Sequence, residues 1–284
     1  MHHPRSSRPA RHSVMAPPHR RRNRKRINWR PFIARFVVFA VLVALVVFLL
    51  TNHRFVIKRV EFVGDRTIPL AHLYALVPVP RRENVFLYVL AHHKQIAAAI
   101  ERNEPPVAEA HVRPGLPNRL VVRLVERSPF VQLRVNHGGL WLVDKTGVPY
   151  RTLKTRKAGL VAVVVPYGGI DPIMGQPLPM NEGSLLGTAF RTLAIVRKVS
   201  TLGPDEIKDI RVDQSLNLCL NTSNNLLIKL GQPDDLDVKI GKAAAILTDD
   251  SQQADAALYI DVSEPGHPAL MPRPGSPLVG ASSN

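Results

Sequence analysis

Cysteine is almost absent. Cys219 is the only one in 284 residues, so neither an internal disulfide nor a multi-thiolate metal cluster can form in any compartment. It sits in Leu216-Asn217-Leu218-Cys219-Leu220, an alternating strand pattern, where it reads as a small packed or half-exposed side chain rather than a nucleophile. Acid is missing from the beginning of the chain. Residues 1–35 hold eleven Lys or Arg and no Asp or Glu, leaving 27 basic against 22 acidic residues in the remainder. The net charge of +16 is therefore mostly a property of the tail, which argues against a nucleic-acid surface and for an orientation signal that also attracts anionic lipid. The same stretch has few apolar residues to bury, since Pro4, Pro9, Pro17 and Pro18 interleave with Arg20 to Arg22 and Arg24 to Arg26. Residues 1–31 are expected to be a disordered, basic, cytoplasmic tail.

Charge then disappears altogether. Residues 36–50 read FVVFAVLVALVVFLL, and at about 1.5 Å of rise per residue this run with its flanks gives roughly 30 Å of helix, enough to cross a hydrocarbon core. A transmembrane helix is expected over 32–52, with Phe36, Val37, Leu42, Leu45 and Leu50 as anchor residues. A cleaved signal peptide is the alternative, but Thr51-Asn52-His53-Arg54-Phe55 offers no small-x-small cleavage site. Cations crowd the segment before the run, while Arg54, Lys58 and Arg59 after it are fewer and are followed by Glu61. The positive-inside rule thus places the N-terminus in the cytoplasm and everything from about residue 52 outside it.

Catalytic constellations are also lacking. Of eleven histidines, four lie in the tail, and the others (His53, His72, His92, His93, His111, His137, His267) form no i, i+4 pair or His-x-His cluster. Asp144-Lys145-Thr146-Gly147 resembles the phosphorylated motif of cation-pumping ATPases, but position 148 is Val, and between Leu140 to Val143 and Val148 to Tyr150 it reads as a hairpin turn. Ser184 directly follows Gly183, which breaks the Gly-x-Ser-x-Gly spacing and leaves Ser184 as a helix N-cap. Glu101, Glu104, Glu109 and Glu126 each read as a helix end, a loop or a solvated strand face. No cofactor, metal or small-molecule substrate is indicated, and the chain reads as a binding protein.

What is present is an α+β pattern. Val56 to Val63 reads as a strand ending at the turn Gly64-Asp65. A short helix follows, capped by Thr67 and carrying Ile68, Leu73, Leu76 and Val77, and then a second helix over roughly His92 to Arg102. Val107 to Arg113 and Asn118 to Glu126 read as strands around the turn Pro114-Gly115-Leu116-Pro117. Two helices on one face of a three-stranded sheet is the compact solution for that order. From Ser128-Pro129 onward the texture changes to short strands at Val131 to Val135, Gly139 to Val143, Leu160 to Val165, Ile210 to Val212, Leu216 to Leu220, Leu226 to Leu230 and Leu258 to Val262. Amphipathic helices interrupt these strands over Ser184 to Val199 and Asp234 to Leu247. After Pro265 the composition turns to Pro, Gly and Ser, which reads as a disordered end.

These residues carry a resemblance to the FtsQ/DivIB-type bacterial cell division proteins. The polypeptide-transport-associated (POTRA) domain of that family is similar to Val60-Glu61-Phe62-Val63-Gly64-Asp65, Glu83 to Phe86, Pro106 to Arg113, Pro117 to Val122 and Glu126 to Pro129. The family's Val-Asp-x-x-Gly turn is similar to Val143 to Gly147, and Ile228 to Gly231, Leu236 to Ile240 and Ile260 to Val262 resemble parts of its β domain. Two positions depart from the family pattern: Pro106 stands where an aromatic is common, and Ser263 and Glu264 stand where an Arg and an aromatic often follow the last strand.

The resemblance implies a single transmembrane helix, a POTRA domain (β-α-α-β-β) over 53–127, a β domain of mostly antiparallel strands with two helices over 128–265, and a disordered end over 266–284. It implies a scaffold without enzymatic activity, held in the cell inner membrane at the division septum, that recruits division proteins of FtsB/FtsL type. The implied contact is strand addition at Leu258, Tyr259, Ile260, Asp261 and Val262, with Ser263 and Glu264 following. Competing readings are a membrane-anchored cell-wall enzyme or regulator and an envelope protein-assembly component that uses its POTRA domain.

Overall fold

The computed structural model describes residues 29–274, apart from 65–66, 79–81, 136–138, 167, 200–201, 203–205, 250–253 and 255. The expected tail therefore lies outside the described residues except for 29–31, and Arg30 and Pro31 already belong to the anchor helix. That helix, α1 (Arg30–Thr51), is 22 residues long with no residue buried, and about 33 Å at the usual rise. Phe36, Val37, Leu42 and Leu45 are all more than half exposed on it, as lipid-facing side chains must be. The chain divides at Thr51, and the described residues from Asn52 onward form one compact unit.

The first part of that unit has the expected β-α-α-β-β order. It runs β1 (Arg59–Val63), α2 (Leu70–Leu76), α3 (Val85–Asn103), β2 (Val107–Gly115) and β3 (Arg119–Glu126), and the sheet order is β1-β3-β2. β3 pairs parallel with β1 and antiparallel with β2. Its alternation turns Leu120, Val122 and Leu124 into a core with Leu73, Val77, Val85, Tyr88, Ile96 and Ile100 from the helices. Each such side chain contributes about 1.5–3 kcal/mol by leaving water. At the end of β1 a Cβ on Gly64, whose φ is +140°, would stand 2.3 Å from the Leu124 carbonyl oxygen, so the turn there requires glycine.

Two local expectations are corrected. Thr67 does not cap α2; its N–H and hydroxyl donate to the Glu126 carboxylate, and Pro69 stands at the cap position with no side-chain bond. The second helix begins seven residues earlier than its periodicity indicates, at Val85, because the Asn84 side chain accepts from the Phe86 N–H at 2.9 Å and caps it there.

The second part is a nine-stranded sheet with the order β12-β11-β10-β9-β8-β7-β4-β5-β6. Its strands are β4 (Val131–Val135), β5 (Leu140–Val143), β6 (Pro149–Leu153), β7 (Ala162–Val165), β8 (Ile207–Val212), β9 (Leu218–Thr222), β10 (Leu227–Gly231), β11 (Ala257–Asp261) and β12 (Ala269–Pro272). Pairing is antiparallel except at β4–β7, β7–β8 and β10–β11. The helices α4 (Leu185–Val196) and α5 (Leu236–Asp249) lie on one face, where Leu186, Leu193, Ile240 and Ala243 meet Leu133, Val163, Ile210, Leu220 and Ile228. Ser184 caps α4 as expected, its hydroxyl accepting from the Gly187 N–H at 3.0 Å.

β12 overturns the expectation of a disordered end beginning at 266, since Ala269–Pro272 is a paired strand; residues 275–284 lie outside the described ones. The two parts of the unit are joined by Arg127. Its guanidinium donates to the Asp144 carboxylate at 2.6 Å and to the Pro105 carbonyl at 3.0 Å, which ties the end of the small sheet to the first hairpin of the long one.

Candidate functional site

Strand addition needs an edge with unpaired N–H and C=O groups. Leu258 to Val262 is not such an edge. β11 has β10 on one side, with Leu227, Ile228 and Lys229 opposite Tyr259, Ile260 and Asp261, and β12 on the other, with Met271, Leu270 and Ala269 opposite the same three residues. The reading of β11 as the open strand is thus corrected, because a further strand follows beyond the Ser263 to Pro268 turn. Among the described residues, the free edge at this end of the sheet is β12.

The geometry of β12 limits what its edge offers. The Arg273 N–H donates inward to the Ala256 carbonyl at 2.8 Å, and backbone direction alternates along an antiparallel strand. Met271 and Ala269 therefore also face β11, while Leu270 and Pro272 turn their backbone groups outward. Proline has no N–H, so within β12 the outward donor is that of Leu270. The Arg273 side chain fastens the strand end, donating to the Ala257 carbonyl at 3.0 Å and the Asn224 carbonyl at 3.2 Å. Arg273 carried no signal in the sequence; the cue for β12 was the short apolar run Ala269-Leu270-Met271 after a Gly-containing turn.

The residues singled out from sequence fall around this edge. Leu258 is 47% exposed and Met271 48%, two apolar side chains left in water beside the edge. The Lys229 ammonium lies 3.6 Å from the centre of the half-buried Tyr259 ring, a cation–π contact. Ile260 and Val262 are fully buried, so they hold the sheet together and are closed to a partner's side chains. Asp261 accepts from the Ser263 N–H at 3.0 Å and hydroxyl at 2.6 Å and shapes the turn out of β11. Glu264 is exposed, and its carbonyl accepts from the His267 N–H.

The residues with catalytic potential are placed apart. The Asp144 carboxylate accepts from the Thr146 N–H and hydroxyl and the Val148 N–H, as a hairpin turn demands, and Gly147 takes a φ of +81°. Burial opposes the Asp144 charge, but the hydrogen bonds from Thr146, Val148 and Arg127 together outweigh it and hold its pKa below the ordinary value. Glu101 accepts from the Ala110 N–H, Glu104 pairs with His72, Glu109 with His111, and Glu126 binds Thr67. Cys219 is partly buried, and burial raises its thiol pKa, the direction opposite to that of an activated nucleophile. Among the described residues no group of three His, Cys, Asp or Glu could hold a metal.

An apolar anchor helix, a β-α-α-β-β unit and a long mixed sheet ending in a short strand define a membrane-anchored α+β protein. No family model matches the chain. It is similar to the cell division protein FtsQ of Chloroflexus aurantiacus, 26% identical over 218 residues that cover 75% of this chain and 74% of that one. It is also similar to the cell division protein DivIB of Clostridium tetani, 24% identical over 234 residues covering 81% and 84%, and to FtsQ of an Anaeromyxobacter species, 29% identical over 68% and 62%. These matches support an FtsQ/DivIB-type cell division protein.

Proposed function

We propose that this protein is a non-enzymatic scaffold of the division machinery at the septum, with its N-terminus in the cytoplasm and residues from 52 onward outside it, and that it docks an FtsB/FtsL-like partner by strand addition. The POTRA domain is assigned to 53–127. The β domain is assigned to 128–274, extended from its sequence-based limit of 265 to include β12. One observation carries the docking reading: β12 is the terminal strand of the long sheet. Leu258 and Met271 beside it supply exposed apolar contact, and Tyr259 with Lys229 gives the adjoining surface a fixed shape. Main-chain bonds then give affinity, while the side chains around the edge select the partner.

The deciding experiment uses the full chain in detergent and a pull-down of the FtsB-like partner. Leu270→Pro removes the outward donor, whereas Leu270→Ala keeps it while trimming the same side chain. Binding is expected to be lost in Leu270→Pro and kept in Leu270→Ala, with circular dichroism showing both folded. Equal binding by a folded Leu270→Pro variant would sink the edge assignment. Orientation is tested separately. A reporter active only outside the cytoplasm, fused after Asn284, should be active, and a silent fusion would reverse the topology.

A further inference from the structure

We infer that the outer face of the long sheet carries a recess built to hold a phosphate-bearing anion. The recess has a volume of about 510 Å³ and is lined by Arg134, Lys154, Arg156 and Arg211, with Ala162, Val164 and Leu140 as apolar floor and Asp209 as the one carboxylate. Strand register explains how the cations converge. Arg134 on β4 and Arg211 on β8 both sit opposite Val164 on β7, so their Cα atoms flank it about 10 Å apart. Val164 is too short to separate the two guanidinium groups that rise on either side of it.

The other two cations come from the segment linking β6 to β7, and that wall is fixed in place. Gln132 is fully buried. Its amide donates to the carbonyls of Lys157 and Leu160 at 2.7 Å each, and its carbonyl accepts from the Lys157 N–H at 2.9 Å. Arg156 donates to the Lys208 carbonyl and approaches Asp209 at 3.8 Å, while Arg211 reaches the same carboxylate from its own strand at 3.1 Å. Asp209, whose side chain is only 7% exposed, thus holds two guanidinium groups at once and neutralises one charge. Among the described residues, no carboxylate lies within ion-pair distance of Arg134 or Lys154.

Four cations against one carboxylate leave an excess that a single carboxylate ligand would not balance. A phosphate group carries up to two charges and matches the planar fork of arginine. The recess has room for such a group with a substituent attached. It also lies four strands from β12 in the sheet order, roughly 19 Å away at the usual strand spacing, so it stands independently of the docking edge.

The test is calorimetric titration of the full chain, in nanodiscs of zwitterionic lipid, with inorganic pyrophosphate. The double variant Arg134→Gln/Lys154→Gln is expected to bind about tenfold more weakly or worse, since it removes two charge-assisted contacts and leaves the Asp209 cluster intact. Lys242→Gln, exposed on α5 against the other face, is expected to bind as the original chain does. Equal affinity in the double variant, equal weakening by Lys242→Gln, or no binding of pyrophosphate below about 1 mM overturns the site. Preference for polyglutamate of matched charge over pyrophosphate also overturns it and makes the face one for acidic protein. Discs containing anionic phospholipid distinguish the sources. If they weaken pyrophosphate binding in the original chain and not in the double variant, a lipid headgroup occupies the recess; if they change neither, the phosphate is a soluble one.

Discussion

The strands of the small sheet intersperse Arg59, Arg113, Arg119 and Arg123 with Glu61, Glu109 and Glu126, whereas the recess on the long sheet sets four cations against Asp209 alone. Both sheets obey the same alternation, with apolar residues toward the helices and polar residues away. They differ in what the polar side is left to do. In the small sheet Glu61 on β1 and Arg119, diagonal to it on β3, meet at 2.9 Å, and the three strands are spanned by two helices. In the long sheet, among the described residues, α4 and α5 serve nine strands, one end closes on a four-residue strand, and cations on the outer face go unmatched. Surplus charge on the outer face is what the long sheet has and the small one lacks.

The sharpest challenge to this division is to damage each core separately. Leu120 and Leu193 are both fully buried, in different clusters, and truncating either to Ala should cost about 2–5 kcal/mol. In denaturant unfolding of the full chain followed by hydrogen exchange, each change should deprotect its own sheet first. If Leu120→Ala weakens amides in β8 as much as those in β3, the two sheets are one cooperative body and the division fails.

A smaller effect is expected at the link between them. Asp144→Asn should cost about 1.5–3 kcal/mol at neutral pH, the range for hydrogen bonds to a charged group. The folded-state pKa of Asp144 is lowered, so its contribution is complete above the unfolded value of about 3.9 and is lost as pH falls through the folded one. Unfolding measured across pH 2–7 should show the two proteins converging at the acid end. A constant gap down to the lowest pH would mean that the lost packing, not the charge, matters.

Within the long sheet, Ser184→Ala should cost about 1 kcal/mol by uncapping α4, read as a lowered denaturation midpoint. The smallest change should come from the small sheet's outer face. Glu61→Gln breaks a pair whose side chains are 44% and 38% exposed, and should cost under about 1 kcal/mol and less in high salt. A larger loss would show that even the balanced face carries stability.

Alternating strands were the most legible elements: Val131–Val135 could be read to the residue, and the Asp144 turn was recognisable because a short acceptor before Gly147 needs nothing distant. The first turns of α3 were not legible, since Val85 to Leu90 is an unbroken apolar run with β-branched and aromatic members and shows no helical period. β12 was hidden for a different reason. Four residues bounded by prolines carry no periodicity, and the strand exists because β11 is already there to pair with and Arg273 fastens its end. For the docking edge the neighbourhood could be read and the strand itself could not, because edge status belongs to the sheet order. The recess was invisible for the same reason, as Arg134 and Arg211 are 77 positions apart in the chain and become neighbours through β7.

From β8 to β12 the spatial order of the long sheet follows the order of the chain. A chain that emerges in order from its N-terminus therefore extends the sheet outward one strand at a time, and each newly added strand is for a while the rim. A chain stalled between β10 and β11 would present Leu227 to Gly231, whose Ile228 and Leu230 are fully buried once synthesis is complete, as a sticky template for whatever strand arrives first. Once β12 pairs with β11, Pro272 at its end offers no N–H. Among the described residues the rim then passes to β12, a strand of four residues.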